Sequence, residues 1–317
     1  MSRSPCRGGR TGPGAHRRDD GQGGATEPVS RLAAVPRAYV ELSRPVNGVI
    51  SLAGAGIGAH VAVRGRGADW TSADAWSTVA VGIATLLILS AGNALNDACD
   101  VEVDRVNRPH RPIPSGRVSA RGSVRFAAVL TVAGVALAAV VNGLAVAVAA
   151  GAAVCLVAYA LLLKGTPLGG NLVVGLLTSG AFAAGGIAVE ALSHAAAPIV
   201  FVFLFTVSRE LVKDIEDVSG DARHGASTAA VAWGLPATAR MATLFGCAGI
   251  LFTPAPFLLG WTGFGWRYLA VALVGVDAVI GPALWRLWRD PSAHTATRAQ
   301  RSLKIGSVLG LVAVLVG

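Results

Sequence analysis

Charged side chains are scarce in this sequence. Asp, Glu, Lys and Arg make up 14% of its 317 residues, against about a quarter in a soluble domain. A chain of this length cannot cover a water-facing surface with so few. Cysteine is also rare. Cys6, Cys99, Cys155 and Cys247 are scattered without metal-ligand spacing, so they read as free thiols rather than a zinc site or a disulfide framework. Alternating segments of about ten residues are missing, which excludes a porin-like barrel. No apolar core follows the first basic residues closely enough for a cleaved signal peptide. Acidic residues number 18 against 27 basic ones, a net charge of +9. Membrane topology accounts for that excess, so it calls for no nucleic acid as partner.

What the sequence has instead is apolar runs. Nine can be placed, near 46–63, 76–95, 123–141, 144–163, 168–189, 195–212, 236–259, 268–285 and 303–317, the last of them short. Backbone groups in lipid must be paired internally. The expected fold is therefore all-α, a polytopic membrane helix bundle of about nine transmembrane helices. With the N-terminus in the cytoplasm, all of the 27 Lys and Arg except Arg64, Arg66 and Arg267 fall on cytoplasmic segments. This is the bias of the positive-inside rule. It predicts a multi-pass protein of the cell membrane. Residues 1–37, rich in Gly and Arg near the start, are expected to form a disordered basic tail. Residues 38–317 would form the transmembrane domain.

The few acidic residues are clumped. Asn96, Asp97, Asp100, Glu102 and Asp104 follow the second apolar run, and Glu210, Asp214, Glu216, Asp217 and Asp221 follow the sixth. Both groups belong to the same membrane face. At helical spacing Asn96, Asp100 and Asp104 stack on one face, and so do Asp214, Asp217 and Asp221. Stacked carboxylates repel one another. Hard oxygen ligands held this way suit Mg²⁺. A solvated helix end would explain one such cluster, but two on one membrane face point to function. Cations accompany them. Arg111 lies between Pro109 and Pro112, in a segment whose prolines stop a helix. Lys213 precedes Asp214, and Lys164 closes the fourth run. Carboxylates for Mg²⁺ beside Arg and Lys for phosphate oxygens form the electrostatic equipment for a diphosphate.

At these residues the chain resembles the UbiA superfamily of intramembrane prenyltransferases. The first match is NDxxDxxxD at Asn96 to Asp104, running into NRPHRPIPSGRVS at Asn107 to Ser119. The second is KDIEDVSGD at Lys213 to Asp221. ELSRPVNG (Glu41 to Gly48) resembles the family's entry segment, and LKGTPLGGN (Leu163 to Asn171) its basic loop. The resemblance covers about residue 38 onward. It implies helices around a central cavity, Mg²⁺ as cofactor, a prenyl diphosphate donor and a lipophilic acceptor within membrane lipid. It implies metal ligation by Asn96, Asp97, Asp100, Asp104, Asp214, Asp217 and Asp221, with Asp97 and Asp221 in outer positions. Asp100, Asp104, Asp214 and Lys213 would be catalytic. Arg44, Asn47, Arg111, Lys164, Asn171 and Arg209 would contact substrate. The motifs look most similar to members that act on geranylgeranylglyceryl phosphate and to chlorophyll synthase-like members. Ser208 departs from the Tyr that several aromatic-substrate members carry near the second motif, which weighs against a phenolic acceptor. A terpene cyclase with the same metal site is the alternative. A transporter is the rival from another class, disfavoured because the charges lie at helix ends rather than at mid-membrane.

Overall fold

The computed structural model describes residues 27–223 and 225–317. The expected tail lies outside the described residues as far as residue 26. From Glu27 the chain is helical, so α1 (Glu27–Ser43) replaces the disorder expected up to residue 37.

Among the described residues, nine helices are long and apolar enough to cross a membrane, and there are no strands. They follow the nine apolar runs. The spans are α2 (Pro45–Gly65), α3 (Ser72–Cys99), α5 (Ala120–Ala139), α6 (Gly143–Ala158) with a π-helical turn (Tyr159–Leu163), α7 (Gly169–Ala188), and α8 (Ala196–Arg223) after a short 3₁₀ turn. Next comes α10 (Leu235–Phe252), preceded by the short α9 (Ala229–Trp233) and followed by α11 (Ala255–Leu258). The eighth span joins α12 (Trp266–Val271) through a π turn (Ala272–Asp277) to α13 (Ala278–Arg289). The ninth is α14 (Ala293–Val316). A short helix, α4 (Val101–Asn107), follows α3.

Local chemistry sets the starts. Thr71 and Asp74 form a reciprocal capping box at α3, and Ser119, Asn142 and Ser292 accept backbone N–H groups at α5, α6 and α14. The Ser292 cap explains why the ninth span, expected from 303, begins at Ala293 and takes Arg298, Arg301 and Lys304 into its first turns. Helices α3 and α8 each have 28 residues. At 1.5 Å per residue each spans roughly 42 Å, against a hydrocarbon core of about 30 Å. Both are long enough to reach past the apolar layer; the final turns of α8 carry the second acidic cluster, and α3 ends with Asn96 and Asp97 just before the rest of the first.

The packing uses small side chains, as lipid-embedded helix contacts do. Ala55, Ala84, Ala138, Ala145, Ala149 and Ala184 are buried with Val81, Ile88 and Ile187 where α2, α3, α5, α6 and α7 meet. A second core of Leu211, Ile215, Ile280, Leu284, Leu287 and Leu303 joins α8 to α10, α13 and α14. Phe205 is buried in that core, and Phe201 packs against Phe252 and Tyr268.

Candidate active site

The first acidic motif is not one helical face. The helix stops at Cys99, Asp100 takes φ −91° and ψ 9°, and α4 restarts at Val101. The expected stack of Asn96, Asp100 and Asp104 is therefore broken at its middle member. Cations draw the carboxylates apart. Arg111 Nη1 donates to Asp104 Oδ2 at 2.6 Å and to Asp97 Oδ1 at 3.3 Å, and Arg44 donates to the same Asp97 oxygen. Asp97 and Asp104 are both buried. These two residues, expected among the metal ligands, and the two arginines expected on the substrate thus form one ion-pair cluster. Arg44 enters it from a left-handed backbone, φ 48°, directly before Pro45.

Asp100 has a different environment. Its Oδ2 accepts from Asn96 Nδ2 at 3.0 Å and is met by Lys164 Nζ from the end of the fourth span. Asn96 Oδ1 is buried and has no partner among the described residues.

The second motif is one face, as expected, because α8 runs unbroken to Arg223. Glu210, Asp214, Asp217 and Asp221 follow one another at steps of four, three and four. Asn171 Nδ2 donates to Asp214 Oδ2 at 2.9 Å, and the Ala229 backbone N–H approaches the same oxygen at 3.3 Å. Thr228 holds Asp221 at 3.0 Å. Asp217 is exposed, with Lys213 near it. Arg209 pairs with Glu210 at 2.9 Å, and Lys213 lies 3.9 Å from the same carboxylate. On the far side, α14 anchors this helix: Gln300 donates to the Arg209 carbonyl at 3.0 Å and Thr297 to Glu216 at 3.0 Å. Ser208 is buried and bonds the Ala242 carbonyl at 2.8 Å, a helix-to-helix tie. Asn47 is exposed, and its side chain makes no hydrogen bond among the described residues.

Tyr159 and Lys164 bring the end of the fourth span up to α3 and α7. Tyr159 sits on the π turn that ends the fourth span. Gly170, at the start of α7, lets that turn come close: a Cβ there would lie 3.0 Å from the Leu163 carbonyl and 3.5 Å from the Tyr159 ring. Sequence reasoning missed Tyr159 and gave Glu210 no role. The signal for Tyr159 was an aromatic hydroxyl in an apolar run, five residues before Lys164.

Among the described residues, no three His, Cys, Asp or Glu side chains lie close enough together to hold a metal ion. The donors are split between α3 and α8 and shared with cations. Their chemistry nevertheless suits a hard divalent cation. The orphaned amide oxygen of Asn96 lies beside the Asp100 carboxylate, and oxygen donors of this kind are what Mg²⁺ takes.

Known proteins resemble this chain in sequence and fold. The family model described as the UbiA prenyltransferase family matches residues 51–308. The digeranylgeranylglyceryl phosphate synthase of Methanopyrus kandleri is 39% identical over 283 residues, covering 88% of this chain and 98% of the relative. The same-named protein of Natronomonas pharaonis is 38% identical and covers 89% of this chain and 96% of its own length. A solved structure described as a digeranylgeranylglyceryl phosphate synthase in membranes superposes with a TM-score of 0.79 at 28% identity, over 91% of this chain and 98% of its own. A UbiA homolog from Archaeoglobus fulgidus, bound to GPP and Mg²⁺, shares the fold with a TM-score of 0.63 at 17% identity, over 88% of this chain and 99% of its own.

Proposed function

The chain belongs to the UbiA prenyltransferase family, and from that membership we propose that it moves a geranylgeranyl group from its diphosphate to a glycerol phosphate lipid already carrying one such chain. The donor half of this proposal is supported by both acidic motifs being held from one short connection, where Lys164 meets Asp100 and Asn171 meets Asp214. The acceptor half is supported by relatives of that named activity that match the chain over most of its length.

In this proposal Asn96, Asp100, Asp214, Asp217 and Asp221 would hold Mg²⁺ and, through it, the diphosphate. Bound there, Mg²⁺ supplies Lewis-acid stabilisation of charge on the phosphate oxygens. Asp97 and Asp104 act through Arg44 and Arg111, whose guanidinium groups they hold in place. The allylic C–O bond breaks with both electrons leaving on the diphosphate. Lys164, Arg44 and Arg111 offset that growing negative charge. The acceptor hydroxyl oxygen bonds to the allylic carbon, and its proton passes to the departing diphosphate. Arg209 and Lys213 pair with Glu210 along α8, while Asn171 fixes the Asp214 carboxylate. Apolar walls below the carboxylates exclude water, the competing nucleophile. The distribution of Lys and Arg supports placing this site, with the N-terminus, on the cytoplasmic side of the cell membrane.

The test is transfer by purified protein given geranylgeranyl diphosphate, Mg²⁺ and geranylgeranylglyceryl phosphate, with products read by mass spectrometry. The expected result is a doubly prenylated lipid phosphate. Asp100→Asn and Asp214→Asn should each lower the rate by about 100-fold or more. Diphosphate release in the absence of acceptor would favour a cyclase. No release from folded protein would sink the enzyme proposal.

A further inference from the structure

A second concentration of positive charge lies outside the machinery described above. Where α13 ends and α14 begins, a cleft of about 400 Å³ is lined by Trp285, Arg286, Arg289, Thr295, Arg298 and Ser302, among others. None of the three arginines makes an ion pair or a side-chain hydrogen bond among the described residues. The one carboxylate in the lining, Asp290, is turned to hydroxyl groups instead, accepting from Ser292 at 3.0 Å and Thr295 at 2.5 Å. The Arg289 guanidinium lies 4.5 Å from the centre of the Trp285 ring. Three arginines gathered around one cleft repel one another. Against them stands one carboxylate already engaged elsewhere.

The position of the cleft decides what kind of anion fits. Trp285 and Trp288 are 57% and 50% exposed on the last turns of a membrane span. Tryptophan in that position sits at the headgroup level. The cleft also lies on the membrane face of the acidic motifs, because Thr297 and Gln300 of α14 bind the end of α8. At 100° per residue, Thr297 and Gln300 occupy the side of α14 opposite Thr295, Arg298 and Ser302. Helix α14 therefore stands between the cleft and Asp214. A ligand in the cleft does not share the donor site.

We propose that this cleft binds the phosphate headgroup of an anionic membrane lipid, through Arg286, Arg289 and Arg298, with Trp285 and Trp288 packed along the upper acyl chains. Arginine suits this because its planar fork pairs with two phosphate oxygens at once. Basic pockets between transmembrane helices recognise lipid headgroups on these grounds.

The test uses the full chain in phosphatidylcholine nanodiscs containing a small fraction of phosphatidylglycerol, with retained lipid counted by native mass spectrometry after release. Wild-type protein should retain phosphatidylglycerol over phosphatidylcholine by about ten-fold or more. The triple variant Arg286→Gln, Arg289→Gln, Arg298→Gln should lose that preference. A charge-matched variant, Arg121→Gln, Arg125→Gln, Arg240→Gln, should keep it. Arg298→Gln alone should lose part of it, which serves if the triple variant melts early. Millimolar inorganic phosphate should not displace the lipid. Equal loss in the charge-matched variant would reduce the effect to net charge and overturn the site. Displacement by inorganic phosphate would show a free-anion site and overturn the lipid assignment. Neither outcome depends on prenyl transfer, so this proposal and the proposed activity fail separately.

Discussion

Arg44 shows how the site is held at the scale of single residues. Its φ of 48° is unfavourable for a side chain with a Cβ, and Pro45 after it disfavours the right-handed alternative. The ion pair with Asp97, 53 residues away, keeps this conformation in place. Arg111 grips the same carboxylate, so removing Arg44 leaves Asp97 partly compensated. Arg44→Ala should therefore destabilise the protein by only about 1–2 kcal/mol, below the usual figure for breaking a buried pair. The measurement is thermal unfolding in detergent. Arg44→Lys keeps the charge and loses the planar fork. Transfer should fall about ten-fold, with little change in melting temperature. Tyr159→Phe separates chemistry from packing more cleanly. Its hydroxyl has no hydrogen-bond partner among the described residues, so in the proposed activity it is free for the substrate. A hydrogen bond to a charged group is worth about 1.5–3 kcal/mol, and kcat should fall ten-fold or more in a protein that melts like wild type. An unchanged kcat would make Tyr159 a packing residue. The sequence showed which residue types meet here, because Asn96 to Asp104 and Lys213 to Asp221 are compact motifs. It did not show that Asp97 and Asp104 face arginines, since that depends on a contact with Arg44 across two spans.

At the scale of elements, the crossing of α2 and α7 sets where Arg44 and Asn171 stand. The two helices touch through backbone. A Cβ on Gly58 would lie 2.1 Å from the Phe182 carbonyl oxygen, and one on Gly185 would lie 1.9 Å from that of Ala55. Neither distance leaves room for an alanine without moving a helix. Gly185→Ala should destabilise by about 2 kcal/mol or more through overpacking, read as a lower melting temperature and a lower rate as Asn171 shifts. Gly180→Ala, on the same helix with nothing within 4 Å, is the control. It should be neutral or slightly stabilising, by up to about 1 kcal/mol. Apolar length made all nine spans readable in advance. Their polar ends were less readable, because hydropathy falls before a helix does. Thus α8 carries its motif as helix beyond the apolar run, α3 carries only Asn96 and Asp97 before α4 takes over, and α14 starts ten residues before the expected 303. Gly58 and Gly185 looked like any other glycines in apolar runs. Close approach needs a partner helix, and no local pattern names one.

For the whole molecule, the arrangement of charge is the strongest constraint. Nine crossings put the two ends of the described chain on opposite membrane faces. Every other connection then shares a face with the acidic motifs, and those connections hold nearly all the Lys and Arg. This asymmetry spreads over many loops, so it was legible without any contact being known. The proposed orientation, from the positive-inside rule, puts that face in the cytoplasm. Thiol labelling tests the assignment in a chain with its four cysteines replaced by serine. Ser227→Cys places a thiol on the exposed connection after the second motif, and Ser193→Cys places one at the opposite end of the bundle. In intact cells a membrane-impermeant maleimide should label the variant at 193 and leave the one at 227 unmodified until the membrane is opened. The reverse pattern would put the carboxylates outside, where the donor diphosphate would have to be supplied from that side. Labelling of both in intact cells would mean that one apolar helix does not cross, and the placement of both acidic motifs on one membrane face would lose its topological basis.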